Sequence, residues 1–274
     1  MQLMSDATGD GWMIHFLHGT SELLNHFGPS AFMTEPGREF FLTIRVFEIS
    51  RALLFTRETF LSQPKWQYLT QGLWNGKEAH DWHPKEALFD IIISCSALGL
   101  RSMKLVGELS QLSLDDQLSE LHSIAAEGLG LRISLQNWKD SVKFWNVSND
   151  DQMLLALIYY HAISIYLSGI FDYFSHWDEW SIPTPTIERS EIQENVQHIL
   201  TMTTIALKQS NLAGILFLFP LRVAGARVDT TQNSNILWLL GRISQGGFVV
   251  ANTIAAELGQ LWSTTNSNSV DIET

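Results

Sequence analysis

The chain has 274 residues, 45% hydrophobic and 17% charged, with 29 acidic against 17 basic side chains and a formal net charge of −12. A field of that sign repels a phosphate backbone, so direct nucleic-acid binding is not expected. The single cysteine, Cys95, excludes a disulfide framework or a cysteine-based metal cluster within the chain.

Residues Met1 to Gly11 are polar and acidic, without the basic and apolar regions of a secretion signal, which leads us to expect a cytoplasmic location. Helical periodicity then runs almost throughout, and no alternating segments joined by Asn-Gly or Asp-Gly turns are found. A first helix is expected from Trp12 to Phe27, stopped by Gly28-Pro29, and a second from Arg38 to Phe60. Pro64 and Pro84 read as first-turn prolines, and the latter opens a helix with Ala87, Leu88, Ile91, Ile92, Cys95 and Leu98 at helical spacing. Ser113 with Asp116 has the form of a capping box for a helix reaching toward Trp145.

Asn149 or Asp150 opens the most apolar helix, Met153 to Phe174, expected to end near Trp180. Its length and composition approach the ~20 residues of a membrane span. A buried central helix is the preferred reading, because His161, Asp172 and the serines Ser164 and Ser168 interrupt the run and other apolar helices are present to surround it. Ser181 to Thr186, with two prolines, reads as a stiff connection inside one domain. Helices near Glu191 to Ser210, Leu212 to Phe219 and Asn235 to Trp262 follow. The expected fold is all-α, a single large domain over 1–274 with roughly eight to ten helices around a central buried helix. Its ordered part spans about 12–262, with 263–274 as a polar tail.

The order of short motifs resembles a known family. His18-Gly19-Thr20-Ser21-Glu22-Leu23-Leu24 with Gly28-Pro29, Arg45 to Ala52, Phe60 to Trp66, Ile165 to Tyr173, Phe219 to Arg227, and the closing Gly247 to Ala251 with Leu261-Trp262 look like the regulatory domain of fungal binuclear-zinc-cluster transcription factors. The resemblance implies an all-α domain that takes regulatory input and, in its relatives, follows a DNA-binding zinc cluster. The six cysteines of such a cluster are not in this sequence. The expectation is therefore a stand-alone copy, as in fungal secondary metabolism, that acts on or responds to a hydrophobic small molecule.

Polar residues set into apolar helices mark the candidate site. His161, Ser168 and Asp172 are seven and eleven residues apart, hence on one helix face, and unpaired burial would cost roughly 1–3 kcal/mol each. His161 and Asp172 are ~16 Å apart along the axis, so they would flank a ligand rather than form a dyad. Satisfaction by neighbouring helices is the competing reading. Arg45, Glu48 and Arg51 follow at three-residue spacing, so that Glu48 can pair with either arginine, as an ion-pair network or as a clamp for a ligand anion.

The catalytic candidates are accordingly His161, Asp172, Arg51 and Glu48. The substrate-binding candidates are Arg45, Ser168, Arg222 and the aromatic-rich end of the central helix at Tyr173, His176 and Trp177. His80, Asp81 and His83 lack a second ligand pair, so no metal is expected. No phosphate loop or nucleophile elbow follows a strand, so no cofactor is expected either. The function expected is a cofactor-free enzyme of the cyclase, isomerase or lyase type on a polyketide- or terpenoid-like substrate. The alternative is a regulatory protein, nuclear in that case, that binds a metabolite or a partner transcription factor without touching DNA. No membrane partner is expected, and a homodimer is allowed.

Overall fold

The computed structural model describes residues 10–75, 82–147 and 149–270, with side chains over 18–264 of these. Among them are eleven α-helices and no strand: α1 (Asp10–Phe27), α2 (Gly37–Phe55), α3 (Pro64–Trp74), α4 (Lys85–Glu108), α5 (Leu114–Ser141), α6 (Asp151–Asp172), α7 (His176–Glu179), α8 (Arg189–Gln209), α9 (Leu218–Arg227), α10 (Asn233–Gln245) and α11 (Ala251–Val270). The all-α class is as expected.

Caps and special backbone positions explain where the expected helices hold and where they divide. Ser113 caps α5 by accepting from the Asp116 amide at 3.3 Å, and Asp150 caps α6 by accepting from the Met153 amide at 2.9 Å. The run expected from Arg38 to Phe60 stops earlier, because Thr56 turns left-handed (φ 49°, ψ 55°) and closes α2. The run expected from Asn235 to Trp262 is two helices, parted at Gly247 with φ 102°, where the Phe248 amide returns to the Ile243 carbonyl at 3.3 Å. The central helix ends at Asp172, and α7 is a separate short turn before Trp180. The segment expected to be a polar tail continues α11 as far as Val270.

Helix α6 is the hub, packing against α4, α5, α8 and α9. It is the one described helix long and apolar enough to cross a membrane, yet 83% of its most apolar window is buried by those neighbours. One connected hydrophobic cluster extends from Leu24 to Leu258. Much of the aromatic surplus is spent inside it: Phe32, Phe41, Phe60 and Trp66 pack ring on ring with centroids 4.8–5.9 Å apart. The proline connection after α7 is pinned across the end of α6. The Pro185 carbonyl accepts from Arg132 Nη2 at 2.8 Å, and the Ile187 amide donates to Ser168 Oγ at 3.1 Å.

Candidate ligand pocket

The C-terminal half of α6 shares a cavity of about 280 Å³ with α4 and α9. Its walls are apolar: Met103 of α4, Ile165 and Ile170 of α6, Phe174 beyond it, and Val223 and Ala226 of α9. Two glycines shape it. A Cβ at Gly99 would collide with the Tyr166 hydroxyl, and one at Gly169 would lie 3.2 Å from Tyr173 Cε2 and 3.3 Å from Arg227 Nη2. All three side chains therefore lie directly on helix backbone.

The charged groups sit at one rim. Arg227 Nη2 pairs with Asp172 Oδ2 at 2.9 Å, and Ser168 Oγ donates to the same oxygen at 2.9 Å. The Arg227 guanidinium also covers the Tyr173 ring, 4.6 Å from its centroid. The Tyr166 hydroxyl also lines the cavity, as does Thr56, and among the described residues it has no hydrogen-bond partner. Burial pushes its pKa up to about 12, so the hydroxyl stays protonated at neutral pH.

The remaining candidates lie elsewhere. Glu48 is fully buried and forms a bidentate pair with Arg51, at 2.7 and 2.8 Å. Arg45 does not share it. Its guanidinium turns instead to α4, meeting Glu86 at 2.7 Å and Asp90 at 2.7 Å. Arg222 is held by the Leu54 carbonyl at 2.6 Å and Glu257 at 3.0 Å. Trp177 is core, donating to the Leu121 carbonyl at 3.2 Å, while the buried Nδ1 of neighbouring His176 has no partner among the described residues. His80 and Asp81 lie outside the described residues.

His161 occupies a second cleft, between α5, α6 and α8, of about 430 Å³, with Lys139, Tyr160, Glu191, Glu194 and His198. Asn195 Nδ2 donates to the Glu191 carbonyl at 2.9 Å, which turns Asn195 Oδ1 toward His161 Nδ1 at 2.6 Å. An oxygen there requires the proton on Nδ1, leaving the Nε2 lone pair buried and, among the described residues, unpartnered. Burial holds the imidazole pKa down at about 4, and His198 stacks on the ring at 4.5 Å.

The structure thus keeps Ser168, Asp172 and Tyr173 together and separates them from His161. Tyr166, Arg227 and Gly169 belong to motifs already quoted for the family resemblance, but nothing in their spacing marks a pocket. Arg132 and Asn195 carry no such signal, since their roles come from partners on other helices.

Among known proteins, no curated sequence and no solved structure gives a significant match. A family model described as the fungal specific transcription factor domain matches residues 1–266. With that match over nearly all of an all-α chain, the protein belongs to the fungal specific transcription factor domain family.

Proposed function

We propose that this family domain binds a neutral, largely apolar small molecule in the cavity between α4, α6 and α9 and acts as a regulatory binding module. The observation that carries this reading is the pairing of an apolar wall with a rim whose charges cancel, Arg227 against Asp172 at 2.9 Å. Binding is favoured over turnover because neither titratable group beside the cavity wall is poised to move a proton: Asp172 is committed to Arg227 and Ser168, and burial keeps the Tyr166 hydroxyl protonated. The family supports a nuclear, transcription-linked role, and the charge of −12 supports contact with regulatory proteins over contact with DNA.

The test is a titration with the neutral fluorophore N-phenyl-naphthylamine, which brightens in apolar surroundings. Saturable binding at one molecule per chain is expected. Met103 lines the cavity and is 54% exposed, so Met103→Trp fills the mouth without disturbing the core. It should weaken binding by roughly tenfold or more while the melting temperature stays nearly constant. Failure to saturate, or affinity indifferent to Met103→Trp, overturns the proposal.

One observation favours a second reading, a cofactor-free isomerase or cyclase at the His161 cleft: the Nε2 lone pair held free of a proton at neutral pH. Incubation of the pure protein with polyketide- and terpenoid-like extracts, followed by chromatography, tests it. A new product lost in His161→Phe supports the enzyme, and unchanged compounds exclude it for that pool.

A further inference from the structure

We infer that the ligand of the α4–α6–α9 cavity is a neutral, largely apolar molecule carrying a hydrogen-bond acceptor, a carbonyl oxygen, with the Tyr166 hydroxyl as the specificity-determining donor. This rests on the reading of the cavity as a ligand site and adds the chemistry it selects. Tyr166 projects from α6 toward Gly99 of α4, and the missing Cβ there leaves room for the hydroxyl itself. The ring is positioned from behind by Phe219, at 6.0 Å and edge to face. A hydroxyl in a largely apolar cavity, without a partner among the described residues, loses free energy when its water is displaced unless the incoming molecule accepts its proton.

Among the described residues nothing accepts from this hydroxyl, so the acceptor must come from the ligand or from water; apart from Thr56 and the rim, the walls are apolar, with Met103, Ile165, Ile170 and Val223. The rim sets the charge of that ligand. Arg227 is neutralised by Asp172, and Asp172 Oδ2 already receives Ser168 Oγ, so neither a carboxylate nor an ammonium finds an unpaired countercharge. A hydrocarbon would leave the Tyr166 hydroxyl dry and unpaired. A neutral ketone satisfies the hydroxyl and adds no charge.

Three β-substituted naphthalenes of nearly the same shape separate these cases: methyl naphthyl ketone, isopropenylnaphthalene, in which CH2 replaces the carbonyl oxygen, and naphthoate. Dissociation constants are measured for each with the wild type and with Tyr166→Phe. The ratio of ketone to alkene affinity should fall by about fivefold or more in Tyr166→Phe, as expected for one net hydrogen bond, with the alkene's own affinity nearly unchanged. Naphthoate should bind the wild type most weakly of the three.

Folding of Tyr166→Phe is checked by its melting curve, and the infrared carbonyl stretch of bound ketone gives an independent readout. The stretch should lie lower in the wild type than in the variant. If both probes bind but ratio and stretch do not respond to the substitution, the hydroxyl is served by water and this inference is overturned while the apolar site stands. Binding of neither probe overturns both.

Discussion

Asp172 Oδ2 collects two donors, Ser168 Oγ and Arg227 Nη2, each at 2.9 Å, and both partners depend on it. Asp172→Asn removes the charge and keeps the volume, so the partly exposed pair should cost only about 1 kcal/mol of stability in urea unfolding. It also leaves Arg227 without a countercharge at the cavity rim. Naphthoate should then bind several-fold more tightly than to the wild type while the ketone is unaffected, and an unchanged naphthoate constant would remove the rim from the site. His161 makes a second, opposite test. Its pKa is 6.5 unfolded and about 4 folded, so the unfolded state takes up the proton first as pH falls. Its stabilising contribution is complete above pH 6.5 and is lost down to about pH 4, a change of order 3 kcal/mol. His161→Phe should therefore lose less stability than the wild type across that window, and parallel urea profiles would show that the ring is not held neutral. Sequence spacing placed His161, Ser168 and Asp172 on one helix face, which is where they lie. It did not reveal that the N-terminal part of that face meets α8 and the C-terminal part meets α9, because Asn195 and Arg227 are 34 and 55 residues away from their partners.

Between elements, close approach depends on missing Cβ atoms. At Gly128 of α5, an added Cβ would lie 2.7 Å from Phe171 Cζ, 2.9 Å from Phe171 Cε2 and 3.0 Å from Pro185 Cγ, with Phe171 itself packed on Trp177 at 4.9 Å. Phe171 has nowhere to retreat. Gly128→Ala should lower stability by ~1–3 kcal/mol even though alanine favours the helix. Gly130, two residues on, has nothing within 4 Å, so Gly130→Ala should raise stability by ~0.5–1 kcal/mol. Thermal unfolding of the pair checks both signs, and a stabilised Gly128→Ala would refute the close α5–α6 contact. Element starts were more legible than element ends. Ser113, Asp150 and Pro64 announce helices by local chemistry, and each opens one where expected. The ends at Thr56 and Gly247 were missed because apolar periodicity resumes beyond them: Phe60 and Leu61 are buried, as are Val250, Ile254 and Leu258. A left-handed residue turns the chain without interrupting that pattern, and threonine is not a residue that signals one.

At the scale of the whole molecule, α6 forms part of both clefts, and the hydrophobic cluster around it runs unbroken from the N-terminal helices to α11. A core continuous over that length unfolds as one unit if no boundary in it lacks contacts. Trp66, Trp138, Trp177 and Trp262 report on different parts of the cluster, so tryptophan fluorescence and far-ultraviolet circular dichroism should give coincident thermal transitions. Cooperativity makes the cavity thermodynamically visible everywhere. A compound that occupies it only in the folded state adds about 1.4 kcal/mol at a free concentration ten times its dissociation constant. For a chain of this size that corresponds to roughly 3–6 °C in melting temperature. Methyl naphthyl ketone should therefore shift both transitions together by that amount. In Met103→Trp, whose cavity mouth is filled, a tenfold weaker affinity should cut the shift to about a third or less at the same concentration. If the ketone moved only one probe's transition, the α4–α6–α9 region would be unfolding separately from the rest. Occupancy there would then act locally, and a regulatory signal could not pass from the cavity to distant surfaces through the shared core.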